Sequence, residues 1–480
     1  MGKYRLYIIS LFVLACLTAN AQRPTPALGC VYKPEIDGKV PLRPQLMTRA
    51  YTVLPSKYSL KQYCPSPGDQ DIYGTCTAWS TTYAARTMCE AISNGWTDKE
   101  LITKEAFAPI FIYKQLSSKS DCQEGTSPAE ALELLKKKGA PKLRSFNVRC
   151  ADYIPNNLYT EAIDYKIDDY TTLFNTYAGD NTGQVVAVKK ALAEEHPVVI
   201  IQKVYSSFSV FNGKDLWNGV LDELRGNHAM CVVGYDDDKY GGAFEILNSW
   251  GTDWANNGFI WVKYDDFCKN TVCAYDVYLK KKEQPKPTPT PTPQKKYSMS
   301  GDMWIVERDG GETPMVINND DGVIPYYLMA EDYMSGKRFR LVISNHEPAW
   351  VYVIASDLKN QVTKLFPYAD NVSAYLNYSE NDIALPDETH EFELDTTPGT
   401  DYFCVLYSQE ELNINSIVKQ IQSADGTFYQ KLRKVLGNAM ASKEDVRYVQ
   451  NDIGFSAKTS KPIVPLVVEI THKAVNVNYQ

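Results

Sequence analysis

Gln70-Asp71-Ile72-Tyr73-Gly74-Thr75-Cys76-Thr77-Ala78-Trp79-Ser80 sets a cysteine on the first turn of a predicted helix, two residues after a glycine. The helix is predicted over 76–93, where Ala78, Ala85, Met88, Cys89 and Ile92 form one apolar stripe and Asn94-Gly95 supplies a stop. A helix start offers unpaired N–H groups and a partial positive charge, and both favour thiolate over thiol. Gly74 keeps the approach to sulfur open. Gln70, six residues upstream of Cys76, can fold back so that its amide and the Cys76 N–H face a developing oxyanion. A lone cysteine in a helix is more often a buried structural residue, so its reading depends on what the rest of the chain supplies.

Outward from this stretch, a second helix is expected over 128–138, with Ser127 as N-cap and Gly139 as stop. After about residue 196 the pattern becomes strand-like, with apolar runs at 198–201, 229–235, 243–247 and 258–262. A helical half followed by a β-rich half predicts an α+β fold of two subdomains with a cleft between them.

Residues 22–284 contain only two histidines. His196 stands in Glu-Glu-His-Pro at an apparent helix end, where a surface or capping role is expected. His228 opens the strand 229–235 after the turn-like Gly226-Asn227, so it can project into the cleft, hold Cys76 as thiolate and protonate a leaving amine. Twenty residues on, Asn248-Ser249-Trp250-Gly251 ends the next strand. An Asn248 amide oxygen accepting from the imidazole would fix its tautomer, and Trp250 could shield that bond from water.

With these blocks in order, residues 51–282 resemble a papain-like cysteine peptidase. The matching elements are Gln-x5-Cys at 70–76, Cys122-Gln123-Glu124-Gly125 ahead of the second helix, His-Ala-x3-Val-Gly-Tyr at 228–235, and Asn-Ser-Trp-Gly-x2-Trp-x3-Gly-Phe at 248–259. The resemblance implies a fold with a helical half and a β-barrel-like half. It implies Cys76 as nucleophile, His228 as general acid and base, Asn248 as orienting residue, Gln70 as oxyanion donor and Trp250 as shielding indole. It makes Gly125 the glycine whose backbone pairs with extended substrate, and Gly74 and Trp250 further substrate neighbours.

Some positions depart from the family pattern. Thr77 stands where the family has Trp, and Trp79 where it has Phe, so packing beneath the cleft must differ. Tyr73 replaces a cysteine that the family bonds to the counterpart of Cys122, which leaves Cys122 either paired elsewhere, with Cys150 as one candidate, or free. Glu124 replaces a glycine and is expected to narrow the cleft or favour basic residues. The stretch 22–50 is too short for the helical inhibitory segment of lysosomal members, so a large prodomain is not expected, while a short N-terminal trim remains open.

Composition frames the rest. The 480 residues are 44% hydrophobic and 22% charged, which suits packed domains, and a net charge of −8 argues against a nucleic-acid partner. Lys3 and Arg5 precede an apolar run from Tyr7 to Leu17, then Ala19-Asn20-Ala21, and this reads as a signal peptide over 1–21. The expected location is secreted, periplasmic or cell-surface, with lipidation at Cys16 the weaker option. No stretch is long enough to predict a transmembrane span. Among the 11 cysteines none has C-x-x-C spacing, and Cys268-x4-Cys273 lacks a nearby His, so no metal site and no cofactor are expected.

The segment 283–296, with alternating Pro, forms a predicted stiff linker. Beyond it, residues 297–480 carry strand runs at 339–343, 350–354, 402–407 and 463–470, with a helical excursion at 416–436, which predicts a mostly-β sandwich-like domain. Gly336-Lys337-Arg338-Phe339-Arg340-Leu341, Ala349-Trp350-Val351-Tyr352-Val353 and Lys364-Leu365-Phe366-Pro367 make it similar to a bacterial domain of unknown function attached to envelope and secreted enzymes. Such a domain is expected to bind a cell-envelope or extracellular ligand. His346, His390 and Cys404 are read as structural. The expected function is a secreted cysteine peptidase acting on peptides or proteins through an acyl-enzyme. The rivals are a catalytically silent peptide-binding surface protein and an acyl-transfer, ligase-like enzyme using the same residues.

Overall fold

The computed structural model describes residues 27–44, 54–179, 183–211, 213, 215–280, 297–308, 315–318, 324–329, 332–357, 361–377, 381–386, 390–450 and 452–474. The signal peptide, Cys16 and the Pro-rich linker lie outside them.

The helix that starts at Cys76 runs to Asn94 in three parts: α-helical Cys76–Ala78, a wide π stretch Trp79–Arg86, and α-helical Thr87–Asn94. Ser80 and Thr81 both donate their hydroxyls to the Thr77 carbonyl, a back-bonding that competes with the regular i→i−4 ladder. The helix stops at Gly95, whose φ of 66° suits glycine. In the second helix, Pro128–Lys138, the Ser127 hydroxyl caps the Glu130 N–H and Gly139 ends the run, as the sequence predicts.

Facing these helices is a seven-stranded antiparallel sheet. Its order is Asp169–Asn175, Thr271–Tyr278, Val198–Tyr205, Leu224–Asp236, Ala243–Leu247 and Phe259–Lys263, with Lys57–Ser59 added on Leu224–Asp236. Phe107, Phe111, Leu132 and Leu135 from the helical half share one core with Val199, Ile200, Met230 and Val232 from the sheet.

The second unit is a sandwich of an eight-stranded and a six-stranded sheet. Side chains alternate across the pleat: Val351, Val353 and Val405 point into the space between the sheets, while Tyr352, Ile354, Cys404 and Leu406 point outward. The outward face is covered by helices Ile414–Ser423 and Phe428–Leu436. Burial on both faces explains why these strands read as continuous apolar runs. The two units touch through Tyr278 and Tyr375, whose ring centroids are 6.3 Å apart, and through Asn377, which donates to Asp276 at 3.4 Å. Among the described residues no helix is long and apolar enough to cross a membrane.

Candidate active site

His228 lies near the start of strand Leu224–Asp236, and its Nε2 is 2.8 Å from Asn248 Oδ1. The same oxygen accepts the Ser249 N–H at 2.7 Å, which fixes the orientation of the Asn248 amide. An amide oxygen only accepts, so Nε2 carries the proton and Nδ1 is left as the basic atom. Nδ1 is buried and has no hydrogen-bond partner among the described residues. Trp250 stacks on the imidazole at 4.7 Å with 29° between the planes, and Trp254 and Phe208 both pack edge-on against Trp250. The indole thus covers the His228–Asn248 bond.

Cys76 opens its helix on the opposite wall, and the N–H of Ala229, next in chain to His228, is close enough to its sulfur to favour the thiolate. Gln70 is anchored from both sides: its N–H donates to Ser249 O at 2.9 Å, and the Ser249 hydroxyl donates to its Oε1 at 2.6 Å. Its Nε2 is thereby turned away from Ser249, donating to Tyr73 O at 2.8 Å and to Ala27 O at 2.9 Å. The structure therefore brings together Cys76, His228, Asn248, Gln70 and Trp250.

Ala27 belongs to a strap that fills the cleft. The Gly29 N–H donates to Cys76 Sγ at 3.2 Å. The Gly29 carbonyl accepts from Thr126 N at 3.0 Å, and Val31 N donates to Thr126 O at 3.1 Å, so the strap runs parallel to the segment around Thr126. Thr77 Oγ1 donates to Thr126 O at 2.9 Å and lies 3.3 Å from Gly29 O. Pairing thus passes through Thr126, one residue beyond the expected Gly125, while Gly125 makes room for Val31: a Cβ there would lie 2.6 Å from Val31 Cγ2. Gly29 has no room for a side chain, because a Cβ would fall 1.7 Å from Gly74 O. The strap offers sulfur an N–H where an attack needs a carbonyl carbon, and with it in place Cys76 and His228 are fully buried.

That burial reverses the electrostatics expected from the helix start. Desolvation raises the Cys76 thiol against the N–H groups of Ala229 and Gly29, which lower it. Desolvation also pushes His228 down to about 4, with the Asn248 bond opposing. Under the strap the pair is a neutral thiol and a neutral imidazole.

Other expectations are corrected here. His196 is buried: Glu195, at φ 65°, turns the chain inward, and His196 Nδ1 meets Asp276 Oδ1 at 2.9 Å. The Glu124 carboxylate turns away to accept from Ser117 Oγ at 2.7 Å, so it does not line the cleft as a basic-residue selector. Cys122 bonds Cys150, the candidate partner that the sequence offers. Sequence reasoning missed Ser249, Thr126 and the strap residues 27–31; the one signal was Thr77, a small hydroxyl residue where the family has a large indole, which opens the space the strap occupies.

Residues 61–277 match the family model for papain family cysteine protease, and residues 332–411 match a domain of unknown function (DUF4384). Cathepsin B-like CP3 of Giardia intestinalis is 32% identical over 116 residues, which cover 23% of this chain and 33% of that protein. Cathepsin K of Mus musculus is 32% identical over 93 residues, covering 19% of this chain and 27% of its own. The chain thus spans about a third or less of the length of these two relatives. Among solved structures, xylellain, a cysteine protease from Xylella fastidiosa, is 21% identical with a TM-score of 0.42, covering 54% of this chain and 98% of its own. The match to the papain family cysteine protease model thus falls on the α+β first unit, and the match to the domain of unknown function falls on the β-rich unit that follows it.

Proposed function

We propose that the first unit is a cysteine peptidase made in latent form, with Cys76 as nucleophile, His228 as general acid and base, Asn248 as the residue that orients it and Gln70 as oxyanion donor. The observation that carries this reading is the 2.8 Å His228–Asn248 bond beneath Trp250, across the cleft from a helix-start cysteine. Once the strap leaves, water re-enters and the penalty on both charges falls, so the proton can pass from Cys76 to His228 Nδ1. The thiolate attacks the substrate carbonyl carbon, and the oxyanion faces Gln70 Nε2 and the Cys76 N–H. His228 gives its proton to the leaving amine, which departs and leaves a thioester. Water, deprotonated by His228, then attacks the thioester, releasing the acid and restoring the thiol.

The substrate class is an extended peptide or protein strand, because the strap already shows main-chain groups near Thr126, Gln70 and Cys76 that such a strand would use. Export follows from the predicted signal peptide, with the mature chain starting at Gln22; N-terminal sequencing of the exported protein tests this. The decisive experiment treats a strap-displaced variant, Gly29→Leu, with an epoxide-type thiol inhibitor and locates the label. Stoichiometric labelling at Cys76 together with hydrolysis of an unfolded protein is expected. Labelling elsewhere, or tight peptide binding with no turnover, overturns the reading in favour of a silent binder. Aminolysis outrunning hydrolysis when an amine acceptor is added identifies an acyl-transfer enzyme.

A further inference from the structure

The strap that plugs the cleft does not end there. Lys33 pairs with Glu130 at 2.7 Å. Asp37, fully buried, accepts from Lys33 N at 2.6 Å, Tyr275 OH at 2.7 Å, Ser127 Oγ at 3.0 Å and Ala129 N at 3.3 Å. The chain then reaches the seam between the two units. Arg43 N donates to Thr172 O and Thr172 N to Pro41 O, both at 2.8 Å, so the neighbours of Leu42 are held by the first unit's edge strand. The main-chain groups of Leu42 itself go to the second unit: its N–H donates to Asn371 O, and its carbonyl accepts from Ser373 N at 2.8 Å. Leu42 is thereby a one-residue strand paired in parallel with Thr172 on one side and Val372 on the other.

Beside it the Arg43 guanidinium, 5% exposed, pairs with Asp276 at 3.1 Å and with Glu194. Asp276 also holds His196 and accepts from Asn377 of the second unit. A buried guanidinium is stable only while its carboxylates stay in place, and part of the surroundings of Asp276 comes from the second unit.

We propose that the C-terminal β unit is the clamp of the strap: by holding Leu42 and closing over the Arg43–Asp276 pair, it sets how readily residues 27–31 leave the cleft. This rests on the latent-peptidase reading and gives the domain of unknown function a role in it. Main-chain hydrogen bonds at Leu42 hold the strap whatever the side chain, and loss of the second unit's contacts leaves only the first unit's half of the grip. The coupling needs no contact between the second unit and Cys76, because the strap links the two places through residues 31–41.

The test measures the rate of Cys76 labelling by the epoxide-type inhibitor in full-length chains. Leu42→Pro removes the one N–H that goes to Asn371, and Asn377→Ala removes the second unit's donor to Asp276; neither touches the cleft. Each is expected to speed labelling several-fold, and the two together by about tenfold or more, as loss of one to two hydrogen bonds implies. Gly29→Leu, which clashes within the cleft, sets the fully open rate. If Gly29→Leu labels fast while the seam double variant stays at the wild-type rate, the clamp is overturned and latency stands. If Gly29→Leu is no faster than wild type, the latent reading itself fails. Amide hydrogen exchange at 27–31 gives a readout independent of chemistry: faster exchange there in the double variant, with the core strands 198–205 and 229–235 still protected, supports the clamp, and unchanged exchange overturns it.

Discussion

His228 and His196 are both buried on the same unit, yet their partners give them opposite chemistry. His228 meets a neutral amide, Asn248, and an indole face. His196 meets the Asp276 carboxylate, which also holds Arg43. Burial by itself would raise Asp276, but the charges of His196 and Arg43 outweigh it and the carboxyl is held below its usual range. Nothing charged offsets the desolvation of His228, so it is pushed down to about 4. One histidine is locked into the network around Asp276, which Asn377 of the second unit also joins; the other is left with an Nδ1 that has no hydrogen-bond partner among the described residues. The difference teaches that burial does not separate the two histidines, whereas the charge of the partner and an unpartnered ring nitrogen do.

The largest effect that separates the two is expected from alanine substitution in the strap-displaced Gly29→Leu background. His228→Ala should cut kcat by about 10⁴-fold or more, since residues acting with the nucleophile as a unit have effects of that order. His196→Ala should leave kcat within a few-fold and instead lower stability by about 3 kcal/mol, because it strips a partner from the buried Asp276. Steady-state kinetics and urea unfolding measure both, and equal kinetic losses would erase the distinction.

Next in size, Gln70→Ala should lower kcat by about 10²–10³-fold with KM little changed, as expected for a donor acting on charge that develops in the transition state. Ser249→Ala, which frees the Gln70 amide to rotate, should act in the same direction with a smaller loss.

A pH effect follows from the His228 shift. Under the strap its pKa is about 4, and in an open, hydrated cleft it should return toward its usual ~6.5. In opened chains where Cys76 keeps its proton, the closed form binds fewer protons than the open form between these values, so acidification from about 6.5 to 4 should favour strap release. Asp37 works the other way: burial raises its carboxyl despite four hydrogen bonds that lower it, so its protonation favours the docked strap at low pH. Strap release followed by Cys76 labelling should quicken on acidification, and Asp37→Asn should steepen that dependence. A flat profile in wild type and variant alike would show that His228 keeps its ordinary titration beneath the strap.

The smallest effect concerns Thr77. Thr77→Val removes the hydroxyl that meets Thr126 O and Gly29 O, and should speed labelling of the full-length chain about threefold to tenfold. No change would mean that the main-chain pairing at Thr126 alone seats the strap.

Much of this was legible because local chemistry is written locally. Ser127 and Gly139 bracket the second helix, and Gly95 stops the first, since caps and left-handed stops depend on one residue. The blocks around Cys76 and Asn248 could be read because each stands at an element boundary, whereas His228 lies inside strand Leu224–Asp236, where the turn expected at Gly226-Asn227 is instead strand paired with Val204 and Lys203. The second unit's strands could be read as strands, but their runs hid which face met helices, because both faces are apolar.

What the sequence by itself determined is the α+β class, the likeness of the first unit to the papain family, and the β-rich character of the second. The tertiary structure decided three things that no local pattern encodes. It placed Gly29 on Cys76 across 47 positions, a contact made by main-chain atoms that every residue carries. It turned His196 from an apparent helix end into the partner of Asp276, 80 residues away. And it set the protonation of Cys76 and His228, because desolvation depends on what covers a group, and the cover comes from a segment whose own sequence carries no mark of that task.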